Sequence, residues 1–149
     1  MSAQPLRYPS PLDVIAMHQE FMAQYGQAAL LHDHGEGLLD DNGEGLLESA
    51  MMRPQMAAHY EEADLSKQAA LLILGIAQAH PFVDGNKRAA FAAGIVFLQL
   101  NGYLVKSRPR EFGERIVSYL SNRDRSSNSE DQFADWIRGN LWYLSEENS

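Results

Sequence analysis

The run His80-Pro81-Phe82-Val83-Asp84-Gly85-Asn86-Lys87-Arg88 separates two helical patterns, and that interruption constrains the fold more than any other feature of the chain. Ahead of it, Leu65, Ala69, Leu72, Ile73 and Ile76 share one helical stripe over residues 65–79, and Pro81 ends the pattern. Behind it, Ala89 to Leu100 is apolar almost all round, which predicts a central buried helix over about residues 87–101. Residues 80–88 must then form a loop between two helices, with Gly85-Asn86-Lys87-Arg88 opening the second. Unpaired backbone N–H groups and the positive end of the dipole favour an anion at such a terminus, so a phosphate would sit there readily.

Each residue type in the loop suits a chemical task. Imidazole titrates near neutrality, which makes His80 the natural general base for a reacting hydroxyl. Asp84 is a hard oxygen ligand suited to Mg²⁺, an ion commonly held by one or two carboxylates together with substrate phosphates. Gly85 permits positive φ and close approach of a ligand to the backbone. Asn86, Lys87 and Arg88 offer an amide, a mobile point charge and a planar fork, three ways of holding phosphate oxygens. Phe82 is expected to anchor the loop in the core. Either fragment alone, a His-Pro helix stop or an Asp-Gly-Asn turn, would be ordinary punctuation; the whole string is specific.

The string resembles the signature of the Fic/Doc superfamily, His-x-Phe-x-(Asp/Glu)-(Gly/Ala)-Asn-(Gly/Lys)-Arg, and in particular its Doc branch, the death-on-curing toxins of type II toxin–antitoxin modules. Gly45-Leu46-Leu47-Glu48-Ser49-Ala50 with Arg53-Pro54-Gln55, and Phe97-Leu98-Gln99-Leu100-Asn101-Gly102-Tyr103, resemble segments that Doc-like chains carry on either side of the motif. The likeness covers roughly residues 10–145. It implies a compact all-α domain with a flap loop or short hairpin near the active site. It also implies transfer of the γ-phosphoryl group of ATP, with Mg²⁺ on Asp84, to a hydroxyl of a target protein, for which the family precedent is translation elongation factor Tu.

Two positions bear on the reaction. Adenylylating relatives have Gly-Asn-Gly-Arg-x-x-Arg, where the second Gly leaves room for the outer phosphates and the last Arg holds them. This chain has Lys87 and Phe91 there; lysine fills the space and phenylalanine cannot pair with phosphate. The resemblance therefore points to a kinase. Gly85 stands where the type Doc pattern has Ala and adenylylating members have Gly, so AMP transfer is the alternative. A catalytically silent module that binds an antitoxin or another partner is the second alternative. Self-inhibited relatives carry (Ser/Thr)-x-x-x-Glu-(Gly/Asn), of which neither terminal region has a clear copy. Inhibition by a separate antitoxin, Phd-like or similar, is the expectation.

Composition narrows the setting. A chain of 149 residues with 45% hydrophobic content fits a single domain, 1–149, with a sizeable core. A formal net charge of −8 argues against nucleic acid as a direct partner, because duplex binding needs a basic stripe. Only Lys106-Ser107-Arg108-Pro109-Arg110 is locally basic, and it reads as a solvated interhelical loop. There is no cysteine, and no apolar run approaches the length of a membrane span. A soluble cytoplasmic protein is expected.

Elsewhere the punctuation is helical. Ser10-Pro11-Leu12-Asp13 is a capping-box start for a helix to about Gln24 or Tyr25. A short helix is expected over Leu46–Met52, stopped by Pro54, with further helices at about Arg110–Leu120 and Glu130–Leu144. Trp142 and Tyr143 fall off the apolar stripe of the last one. Residues 33–48 hold a tandem octapeptide, Asp33-His34-Gly35-Glu36-Gly37-Leu38-Leu39-Asp40 and Asp41-Asn42-Gly43-Glu44-Gly45-Leu46-Leu47-Glu48, whose glycines and acids suit a mobile flap lengthened by duplication. His32 and His34 lack a fixed third metal ligand. His18 and His59 read as surface or capping residues.

Overall fold

A computed structural model of the protein describes residues 5–25, 41–122 and 128–144. The helices are α1 (Pro11–Tyr25), α2 (Asp41–Glu61), α3 (Leu65–Ala79), α4 (Asn86–Leu100), α5 (Pro109–Asn122) and α6 (Ser129–Gly139). Two three-residue strands, β1 (Tyr103–Val105) and β2 (Leu141–Tyr143), complete the described residues. The domain is all-α, as expected. None of the described helices is long and apolar enough to cross a membrane.

Local chemistry sets several of these boundaries. At the start of α1 the Asp13 N–H donates to Ser10 Oγ (3.1 Å) and the Ser10 N–H donates back to the Asp13 carboxylate (2.8 Å), a closed capping box. Asp64 caps α3 by accepting from the Lys67 N–H (2.9 Å). Asn101 ends α4 by donating to the Phe97 carbonyl (2.8 Å), and it pairs with both the N–H and the carbonyl of Arg7, both at 2.9 Å. The segment ahead of α1 is thereby tied to the far end of α4.

The most enclosed helix is α3, which touches α2, α4, α5 and α6. Ala69 to Leu74, Ile76 and Ala77 are all buried. By contrast α4, expected at the centre, buries Ala89, Ala90, Ala93, Phe97 and Leu98 along one face and leaves Leu100 exposed. Its small residues explain the difference: they let it lie close to α3. A Cβ on Gly94 would stand 2.4 Å from Ile73 Cδ1, so any side chain there would oblige the Ile73 side chain to move. Phe97, Phe112, Phe133, Leu47 and Ile137 fill the core around α3.

Three expectations need correction. Pro54 does not stop α2, and the second octapeptide copy, residues 41–48, is helical rather than a mobile loop. Gly43, Leu47, Ala50, Met51, Pro54 and Ala57 recur on one buried face. Their burial outweighs the cost of glycine and proline in a helix, about 1 and about 3 kcal/mol. The first copy, His32 and His34 lie outside the described residues. The last helix ends at Gly139, not Leu144: the Asn140 N–H reaches back to the Ile137 carbonyl and its amide donates to that of Trp136. The chain then turns extended.

That extended segment pairs antiparallel with β1, Tyr103 opposite Tyr143, Leu104 opposite Trp142 and Val105 opposite Leu141. The strands are not a hairpin, and they do not lie near the motif loop. β1 follows the C-terminal end of α4, and the motif opens its N-terminal end; fifteen residues at 1.5 Å each separate the two by about 22 Å. Trp142 and Tyr143 are exposed, with Lys106 over the Trp142 ring.

The Asp64 cap also receives two parallel bonds from Arg138, both 2.9 Å, joining the start of α3 to α6. The Arg138 bond is the main cause that holds the Asp64 carboxyl below its ordinary value of 3.8. Asp64→Ala should lower stability by about 1–2 kcal/mol in urea unfolding, mostly through the lost cap. Arg138→Ala should cost about 0.5 kcal/mol, because the pair is solvent-screened. A depressed folded-state pKa contributes stability above the unfolded value and loses it as pH falls through the folded one. The difference between wild type and Arg138→Ala should therefore shrink below pH 3.8; a difference unchanged at about pH 2 would mean that Arg138 acts through packing instead.

Candidate active site

The loop between α3 and α4 turns through two left-handed residues. His80 ends α3 at φ 52°, ψ 55°, its N–H donating to the Ile76 carbonyl. Gly85 opens α4 at φ 76°, ψ 22°. Between them Phe82 is fully buried, the anchor its type suggested.

Asn86 closes the loop on itself. Its Oδ1 accepts from the Phe82 N–H and its Nδ2 donates to the Phe82 carbonyl, both at 2.9 Å. Those two bonds fix which end of the amide is which, so the remaining amide hydrogen must be the one directed at His80 Nδ1, 3.2 Å away. In this arrangement Nδ1 is the accepting nitrogen and a neutral His80 carries its proton on Nε2. Asn86 itself is buried, while the His80 side chain is exposed.

His80, Val83, Asp84, Gly85, Asn86, Lys87 and Arg88 line one cleft of about 380 Å³, within the range of small-molecule sites. All six residues expected in the site, His80, Asp84, Gly85, Asn86, Lys87 and Arg88, meet there. The N-cap of α4 is Gly85, which makes no side-chain capping bond. A helix N-terminus of this kind favours an anion through its N–H groups and dipole, and the Lys87 and Arg88 side chains lie beside it. The Gly85 N–H points to Asp84 Oδ1 at 2.8 Å, and the Arg88 guanidinium lies 4.6 Å over the Phe21 ring. Phe91 turns away and packs edge-on against Phe112 at 5.0 Å.

The donor set decides what ion could be held. Among the described residues there is no group of three His, Cys, Asp or Glu, and Asp84 is the one carboxylate lining the cleft. The described residues do not by themselves make a transition-metal cage. An ion that completes its shell with water and substrate phosphates fits, and that is the habit of Mg²⁺.

The sequence reading missed one wall of the site. His18, taken there as a surface or capping residue, is only 1% exposed. Its ring stacks on Phe82, centroids 3.8 Å apart, and its Nε2 lies 2.7 Å from the Asp84 carbonyl. Met22 and Phe21 follow on the same face of α1. A signal was present: Val14, His18 and Met22 recur at a spacing of four, and the outer two are apolar core residues.

Residues 8–98 match the Fic/DOC family. The chain is similar to the protein kinase doc of Escherichia phage P1, 32% identical over 105 residues that cover 70% of this chain and 75% of that one. It is also similar to the toxin Doc of Mycolicibacterium smegmatis, 45% identical over 80 residues that cover 52% of this chain and 62% of that one.

The α1 wall explains a residue of the motif. A Cβ on Gly85 would meet His18 Nε2 at 3.2 Å and Met22 Sδ at 3.3 Å, at a φ that side chains disfavour. Gly85→Ala should fold but lose about 1–2 kcal/mol, measured by urea unfolding. Stability equal to wild type would show that the α1 face yields at no cost.

Proposed function

The chain belongs to the Fic/DOC family, and we propose that it is a Doc-like toxin that transfers the γ-phosphoryl group of ATP to a hydroxyl of a target protein. The observation that carries this reading is the cleft at the start of α4, which joins an imidazole, a carboxylate and a cation-flanked helix N-terminus opened by a glycine. The similarity to proteins named as a kinase and a toxin points the same way.

In this reading the triphosphate lies along the first turn of α4, held by its N–H groups, Lys87 and Arg88. Mg²⁺ on Asp84 and the phosphate oxygens would offset the charge on the transferring group. His80 takes the proton of the target hydroxyl. The hydroxyl oxygen bonds to the γ-phosphorus as the bond from that phosphorus to the β–γ bridging oxygen breaks, and ADP leaves with the electron pair. Because Asn86 occupies the lone pair of Nδ1, proton uptake begins with release of that long contact and a turn of the exposed ring.

Phosphoryl transfer is favoured over AMP transfer by Lys87, whose side chain lines the cleft where adenylylating relatives leave room, and by Phe91, which is committed to Phe112. Gly85, the residue that favours AMP transfer on pattern alone, has a separate explanation in its contacts with α1. As a Doc-like toxin the protein would be held in check by an antitoxin, Phd-like or similar. Elongation factor Tu is the proposed target, with arrest of translation as the consequence.

ATP labelled at either the α or the γ phosphate, incubated with the protein and a bacterial extract, separates the readings. Label should pass to a target from the γ position alone; transfer from the α position would replace the kinase with an adenylyltransferase. His80→Ala should reduce transfer by about 10²–10⁴ and abolish growth arrest on expression while sparing nucleotide binding. Growth arrest equal in wild type and His80→Ala, without transfer of either label, would favour a silent binding module. Lys87→Gly should lose γ transfer.

A further inference from the structure

The peptide between Asp84 and Gly85 is held at its N–H end by the Asp84 carboxylate and at its carbonyl end from outside the motif, by His18. It is a planar trans unit, so its carbonyl and its N–H point in opposite directions. The carbonyl is directed inward to His18 Nε2 at 2.7 Å, and the N–H is directed outward to the cleft, where it meets Asp84 Oδ1 at 2.8 Å. Glycine follows the peptide bond, and glycine tolerates both signs of φ. Local sterics alone would therefore let this peptide turn over. The turned peptide would place a carbonyl oxygen, rather than an N–H, against an incoming phosphate.

We propose that His18 is a positioning residue of the phosphate site, holding the Asp84–Gly85 peptide with its N–H toward the cleft. A carbonyl can only accept, so the 2.7 Å contact requires the proton of His18 to be on Nε2. The ring is gripped for that purpose. It stacks on Phe82 with an interplanar angle of 11° and is 1% exposed, so it cannot swing out to another partner. Its Nδ1 makes no hydrogen bond among the described residues, which leaves the Asp84 carbonyl as the one polar contact the buried ring makes there. The same face of α1 carries Phe21, whose ring lies under the Arg88 guanidinium at 4.6 Å. α1 thus orients both a backbone donor and a cationic side chain of the cleft. The inference rests on reading the cleft as a phosphate site.

The substitutions that test it differ in one property each. His18→Phe keeps a flat ring but removes the donor; His18→Gln places an amide N–H at nearly the reach of Nε2. Binding of inorganic pyrophosphate, followed through the Gly85 and Asn86 amide resonances, should weaken about tenfold in His18→Phe and return to within about threefold of wild type in His18→Gln. In wild type the ¹⁵N spectrum of the His18 ring should show the Nε2–H tautomer. An Nδ1–H tautomer would overturn the proposal whether or not the variants fold, and so would equal pyrophosphate affinity in wild type and His18→Phe. The predicted pattern of pyrophosphate binding without any γ-phosphoryl transfer by wild type would leave His18 in its role and remove the kinase reading instead.

Discussion

The pairing of the Asn86 side chain with both polar groups of Phe82 is the contact on which the site depends. A carboxamide offers a donor and an acceptor side by side, as a peptide unit does, so one buried side chain satisfies a backbone N–H and a carbonyl that the loop would otherwise strand. The consequence is geometric. With Phe82 tied to the first residue of α4, the three residues between the anchor and the helix are held in a closed loop, and His80 and Asp84 are delivered to the same cleft. The second amide hydrogen of Asn86 then reaches His80, so the residue that closes the loop also sets the resting orientation of the imidazole.

The packing of α3 makes that loop possible. An enclosed helix has little freedom to shift, and its C-terminal end launches the motif. At Gly94 the Ile73 side chain of α3 packs directly onto α4, where a Cβ would clash with it. Interiors packed at this density transmit small displacements. The left-handed turns at His80 and Gly85 let the chain reverse within six residues between two packed helices.

Electrostatically the site runs against the molecule. The chain carries a formal charge of −8, yet its cleft gathers Lys87, Arg88 and the positive end of a fifteen-residue helix around one carboxylate. Distant acids act weakly across water and salt, whose screening length is about 8 Å, whereas N–H groups and cations at contact distance do not suffer that loss. An acidic protein can thus hold a polyphosphate locally while its surface at large discourages nucleic acid.

Much of this was legible in the residues. The stripe in α3, the proline after it, and the glycine opening α4 dictated a helix, a loop and a helix with an anion site between, because those signals act over three or four neighbouring positions. Other outcomes depended on what lies across the core. Whether Gly43, Gly45 and Pro54 would end a helix was settled by the surface α2 buries against α1 and α3, and Leu141 left a helical stripe because β1 stood ready to pair with it. His18 is the sharpest case. On α1 it is one histidine at a core spacing; only the fold, by laying α1 against a loop 66 residues away, gave its Nε2 a carbonyl to hold. Short-range periodicity determined the elements and the motif, and tertiary contact decided which residue supports it, since a hydrogen bond across the core has no local signature.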